Sequence, residues 1–93
     1  MIATRFNPGL VVATPGALDL LARHNQSPIT FIRRHLSGDW GVLDPEDAAL
    51  NDRSVQDGGS MILSNYLVCG RDRLWIKTES DRSVTTLLLP EEY

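Results

Sequence analysis

The densest group of reactive side chains in this chain is the string Thr78-Glu79-Ser80-Asp81-Arg82-Ser83, with two carboxylates, one guanidinium and three hydroxyls in succession. Glu79 or Asp81 could act as a base there while Arg82 orients an anionic group, the equipment of a small hydrolase or nuclease. The same residues suit a plain turn, because Ser and Asp side chains hydrogen-bond their own backbone at such tips. A second group is Gly38-Asp39-Trp40-Gly41. A tryptophan in a loop can anchor a partner protein. It can equally plug a gap between elements, with the glycines permitting close approach and Asp39 capping a turn.

Arg33, Arg34 and His35 form the only basic run, and Arg71 and Arg73 flank a later turn. These four arginines are the candidates for phosphate contacts. The basic run also lies in the last turn of an expected helix, where the helix dipole favours positive charge, and this structural reason weakens the nucleic-acid reading. His24 and His35 come from different helix ends, with Cys69 far away in sequence. Metal sites need convergent ligands at recognisable spacing, so no metal is expected. No glycine-rich phosphate loop stands before a helix, because Gly58-Gly59 follows one, and no cofactor is expected.

The elements that must position these residues announce themselves through three small polar residues before proline: Thr14-Pro15, Ser27-Pro28 and Asp44-Pro45. Such a residue can accept from a free N–H of the first helical turn, and proline at the next position loses nothing. Helices are expected over residues 15–23, 28–36 and 45–56. Ala17, Leu18, Leu20 and Leu21 give the first an apolar face, and Ile29, Ile32 and Leu36 give the second a stripe. Asp47 follows Asp44 at capping-box spacing. Strands are expected over 61–69, 74–79 and 84–89, joined by hairpin loops at 70–73 and 80–83. In the middle strand Leu74, Ile76 and Thr78 alternate with Trp75, Lys77 and Glu79. One face is therefore buried under the helices and the other is wetter. Trp75, on the wetter face, joins Asp39, Trp40 and Arg82 as a partner-binding candidate. The run Leu10-Val11-Val12-Ala13 could add a fourth strand.

The whole is expected to be one α+β domain over residues 1–93: a helical half packed on a three- to four-stranded antiparallel meander. Ninety-three residues with 42% hydrophobic content and a charge of −3 suit one small core and argue against a whole-domain grip on nucleic acid. The lone cysteine allows no internal disulfide and fits a cytosolic compartment. There is no long apolar run for a membrane span and no signal-peptide pattern.

Several stretches together resemble a known family: 13–17, 38–41, Asn51-Asp52, 62–66 and, most specifically, the tail 74–93. The chain is similar, over roughly residues 10–93, to small bacterial proteins found on plasmids and integrated mobile elements. These are called plasmid-related and sometimes carry a label borrowed from type I restriction methylase subunits. Family members often have isoleucine where Lys77 stands and alanine where Ser80 or Val84 stands. The methylase label fails physically, because the chain has neither the length nor the βαβ sheet of a methyltransferase. The resemblance implies mobile DNA near defence genes, and no catalytic residue comes with it.

The leading expectation is thus a non-enzymatic protein-interaction or regulatory module, with anti-defence binding of a restriction or CRISPR component as its specific form. The alternatives are a hydrolase or nuclease built on Glu79, Asp81 and Arg82, and a weak nucleic-acid binder using Arg33, Arg34, Arg71 and Arg73. Dimerisation through Trp40 or an open strand edge is a further option, since small sheets leave edges to cover.

Overall fold

The three Ser/Thr/Asp-Pro steps do start helices. In the computed structural model, which describes residues 4–93, strand β1 (Leu10–Ala13) leads directly into helix α1 (Pro15–Arg23), followed by α2 (Pro28–Ser37) and α3 (Pro45–Asp57). Thr14 accepts from the Ala17 N–H and Ser27 from that of Ile29. Asp44 occupies the corresponding position before α3 but makes no side-chain capping bond, so the expected capping box is not formed. Proline at the first helical position and two acidic residues in the first turn mark that start instead, where they complement the helix dipole. Strands β2 (Ile62–Val68), β3 (Asp72–Thr78) and β4 (Val84–Leu88) then run up and down, and a 3-10 turn, Pro90–Glu92, closes the chain.

The sheet is mixed, in the order β1-β4-β3-β2. β2, β3 and β4 form the expected antiparallel meander, but β1 lies parallel to β4, with Leu10 opposite Val84 and Ala13 opposite Leu87. The all-antiparallel expectation is corrected at this strand. Only hairpin-linked neighbours are bound to be antiparallel. β1 and β4 are separated by all three helices and two strands, which is ample chain for a crossover.

Alternation along the strands makes two unlike faces. The inner face carries Ile62, Ser64, Tyr66, Val68, Leu74, Ile76, Thr78, Thr85 and Leu87, all buried. Ala17, Leu20 and Leu21 of α1 and Phe31 of α2 complete the core above it. The expected stripe on α2 is rotated. Ile29 is 51% exposed, Ile32 is partly buried against the core as expected, and the buried residues of the helix are Phe31 and His35. They stand four apart and so share a face; the aromatic ring brings the larger apolar area. Leu18 of α1 is likewise exposed. No helix among the described residues is long and apolar enough to cross a membrane.

Candidate functional site

Asp39, Trp40, Glu79, Asp81 and Arg82 are each tied to their surroundings by specific contacts. Arg82, at φ 60°, directs Nη1 to the carbonyls of Ser60, Glu79 and Ser80, and Nη2 to the carbonyl and hydroxyl of Ser54. It fastens the β3–β4 hairpin to the end of α3. Glu79 pairs with Lys77 at 3.3 Å. Asp81 accepts from the Ser83 N–H, and the hydrogen bonds from Ser83 hold its carboxyl below the usual range. Each of the three groups is thus engaged by a different neighbour: Lys77, Ser83, and the α3 end with its following loop.

Trp40 is a plug: it is 6% exposed, and its Nε1–H donates to Asp52. The approach of its loop depends on Gly41, whose φ is +77°; a Cβ there would stand 2.2 Å from the Asn65 carbonyl oxygen. Asp39 accepts from Arg34 at 2.6 Å and from the Gly41 N–H. Its carboxyl is held down chiefly by the Arg34 hydrogen bond, and the Arg34 pKa is raised by the same bond. The Asp39 carbonyl accepts from the Tyr66 hydroxyl, whose pKa burial raises. Arg34 also lies over the Tyr66 ring at 4.6 Å, so it is a packing residue rather than a free cation. Arg33 is exposed on α2.

His35 is not part of a solvated basic run. It is fully buried, and burial pushes its pKa down to about 3. Phe6 and Trp40 meet its ring edge to face. Nδ1 lies 2.6 Å from the Ser64 hydroxyl and Nε2 3.0 Å from that of Thr78, which is 2.6 Å from the Thr85 hydroxyl. Thr85 donates to the Pro8 carbonyl. One arrangement of protons satisfies this chain around a neutral imidazole. Thr85 gives its proton to Pro8, Thr78 gives its own to Thr85, the imidazole donates from Nε2, and Ser64 donates to Nδ1. The hydroxyl and imidazole together are the parts of a nucleophile and base, but Ser64 is 0% exposed, and the run binds α2 to three strands. Sequence reading missed it because a serine and two threonines within apolar strands look like breaks in the pattern. Their one signal is that they sit at inward positions, where a hydroxyl requires a partner.

Arg71 and Arg73 border a hollow of about 460 Å³ with Leu20, Arg23, Asp72, Leu89, Pro90 and Glu91. Its charge is mixed: Arg23 pairs with Asp19, and Asp72 with His24 at 2.7 Å. Among the described residues no group of three or more His, Cys, Asp or Glu could hold a metal ion.

The remaining candidate is the outer flank of the sheet. Asn51 of α3 bonds both backbone groups of Leu63, and the Val42 N–H donates to the Asn65 carbonyl, so α3 and its leading loop lie along β2. Between them is a groove of about 250 Å³ lined by Leu43, Asp47, Leu50, Asn51, Met61 and Leu63. Leu50 is 57% exposed, and Val42 and Met61 are exposed as well. Tyr93 continues the face: its hydroxyl reaches the Met61 sulfur, and its ring packs edge-on against half-buried Trp75 and under Lys77. Asp47 lines the groove, and α3 with its cap carries Asp44, Glu46, Asp52 and Asp57 besides, against Arg53 and against Arg5, which reaches Asp52 at 3.4 Å. With four carboxylates and one arginine, helix α3 alone has the −3 of the whole chain. In comparisons with known proteins, no family model, curated protein or solved structure matches this chain, and its function is therefore read from its own surface.

Proposed function

We propose that the protein is a non-enzymatic interaction or regulatory module. Its acidic, apolar α3–β2 face docks onto a protein with an apolar centre and a basic rim. The observation that carries this reading is Leu50. It is a large aliphatic side chain left open over a groove floored by Leu43, Met61 and Leu63, on a helix edged with carboxylates. Exposed apolar patches rimmed by polar residues mark interaction sites, and a rim of one sign selects a partner of the other. Proteins that handle nucleic acid present such basic surfaces. That charge logic joins the face to the setting implied by the sequence resemblance, mobile DNA near defence genes. Blocking of a restriction or CRISPR component is the specific form of the proposal.

The test is capture of host proteins on the immobilised chain, compared with Leu50→Glu and with Glu46→Lys/Asp47→Lys. A basic protein retained by the wild type, weakened by salt and lost with both variants supports the reading. Identical retention by all three overturns it. The arginine-lined hollow favours a second reading, weak binding of nucleic acid through Arg71 and Arg73. Affinity for a single-stranded oligonucleotide would then fall steeply with salt and with Arg71→Ala/Arg73→Ala.

A further inference from the structure

The chain treats the two edges of its sheet differently. On β2, the backbone groups that face away from β3 are covered as far as Asn65: Asn51 takes both groups of Leu63, and the Trp40–Val42 segment takes those of Asn65. On β1, the N–H groups of Leu10 and Thr14 point to Ser83 and Leu87 beside them. Alternation along the strand turns the N–H and C=O of Val11 and Ala13 outward, where no described residue meets them. Native edges are usually blunted by lysine, proline or a bulge. Here no charged residue stands between Arg5 and Asp19, and the side chains of Leu10, Val11 and Val12 are exposed.

We propose that β1 is a dimer interface, pairing antiparallel with β1 of a second copy across a two-fold axis at Val12. The outward residues Val11 and Ala13 are placed symmetrically about Val12. Val11 of each copy therefore exchanges both backbone bonds with Ala13 of the other, and all the outward groups of the strand find partners. This self-complementarity is why the occupant is a second copy. Val12 meets Val12 of the second copy on the outer face as a close, non-hydrogen-bonded pair, a position that favours β-branched side chains. The two four-stranded sheets become one continuous sheet. Both α3 faces then lie on the same side of it, with the two β2 strands about 34 Å apart at the usual strand spacing. The dimer would present its docking surface twice, yet its existence does not depend on the docking reading.

Sedimentation equilibrium tests the interface. The expected wild-type mass is twice the 10.3 kDa of the chain. Val12→Lys sets two ammonium groups face to face and should sediment at the single-chain mass with an unchanged circular dichroism spectrum. Val12→Cys in a Cys69→Ser background should close an intermolecular disulfide under mild oxidation, because the Cα atoms of such a pair lie about 4.5 Å apart. Leu50→Cys in the same background should not. A wild-type chain that sediments at the single-chain mass at hundreds of micromolar overturns the proposal. So does a dimer that survives Val12→Lys, or cross-linking at Val12→Cys no faster than at Leu50→Cys. None of these readouts involves a partner protein, so failure of the docking face would leave them unchanged.

Discussion

Acidification should weaken this fold well above the pH at which carboxylates titrate, and His35 is the cause. Its pKa lies near 3 in the folded protein against an ordinary 6.5, lowered by burial. The unfolded chain therefore takes up the proton first, so the contribution is fully present above pH 6.5 and is lost as pH falls towards 3. A pH of 5 lies 1.5 units below the ordinary pKa of the unfolded imidazole, and protonation of the unfolded chain then costs the folded state about 2 kcal/mol. That figure holds for any folded pKa below about 4, and it is a large part of the ~5–15 kcal/mol of a typical domain. Asp39, Asp81 and Glu92, whose carboxyls are held low, add to the loss only at lower pH. The assay is urea unfolding at pH 7, 6 and 5 at one protein concentration, followed by the fluorescence of Trp40, whose ring centroid is 5.8 Å from that of His35. His35→Gln should start less stable at pH 7, by ~1–3 kcal/mol for hydroxyls left without a partner, and should then lose about 2 kcal/mol less than the wild type between pH 7 and 5. Equal slopes in the two proteins would refute both the buried neutral imidazole and the hydrogen-bond chain drawn through it.

Other residues make separate claims. Arg82→Met removes the guanidinium bonded to Ser54, Ser60, Glu79 and Ser80; thermal unfolding should show a loss of ~2–3 kcal/mol. Asn51→Ala strips the cover from Leu63, and should lower stability by ~1–2 kcal/mol and raise light scattering as the β2 edge opens. In acrylamide quenching, Trp40 alone in a Trp75→Phe variant should be well shielded, while Trp75 alone in a Trp40→Phe variant should be quenched more; the reverse order would contradict the placement of both rings.

The fold was largely legible where local chemistry decides it. Proline after Thr14 or Ser27 and hairpin turns between apolar runs are signals that a few residues carry by themselves. The direction of β1 was not legible, because its partner is more than seventy residues away and a four-residue run of apolar side chains looks the same either way. The rotation of α2 was missed for a related reason. Ile29, Ile32 and Leu36 make a good stripe in isolation, but Phe31 and His35 win the inner face because Tyr66, Ser64 and Thr78 wait there. The hairpin string 78–83 drew attention through its density of charge, yet Arg82 and Asp81 mainly bond backbone. The α3–β2 face drew little, since Leu43, Leu50, Met61 and Leu63 come from three separate stretches and meet only when Asn51 lays α3 along the sheet.

The most direct test of the central claim is amide hydrogen exchange on the complex with a purified basic partner, chosen because its capture depends on Leu50. The account predicts slowed exchange across residues 43–50 and 61–63, with residues 71–73 and 79–83 unchanged. Protection confined to those turns, or spread evenly over the sheet with no gain along α3, would contradict it.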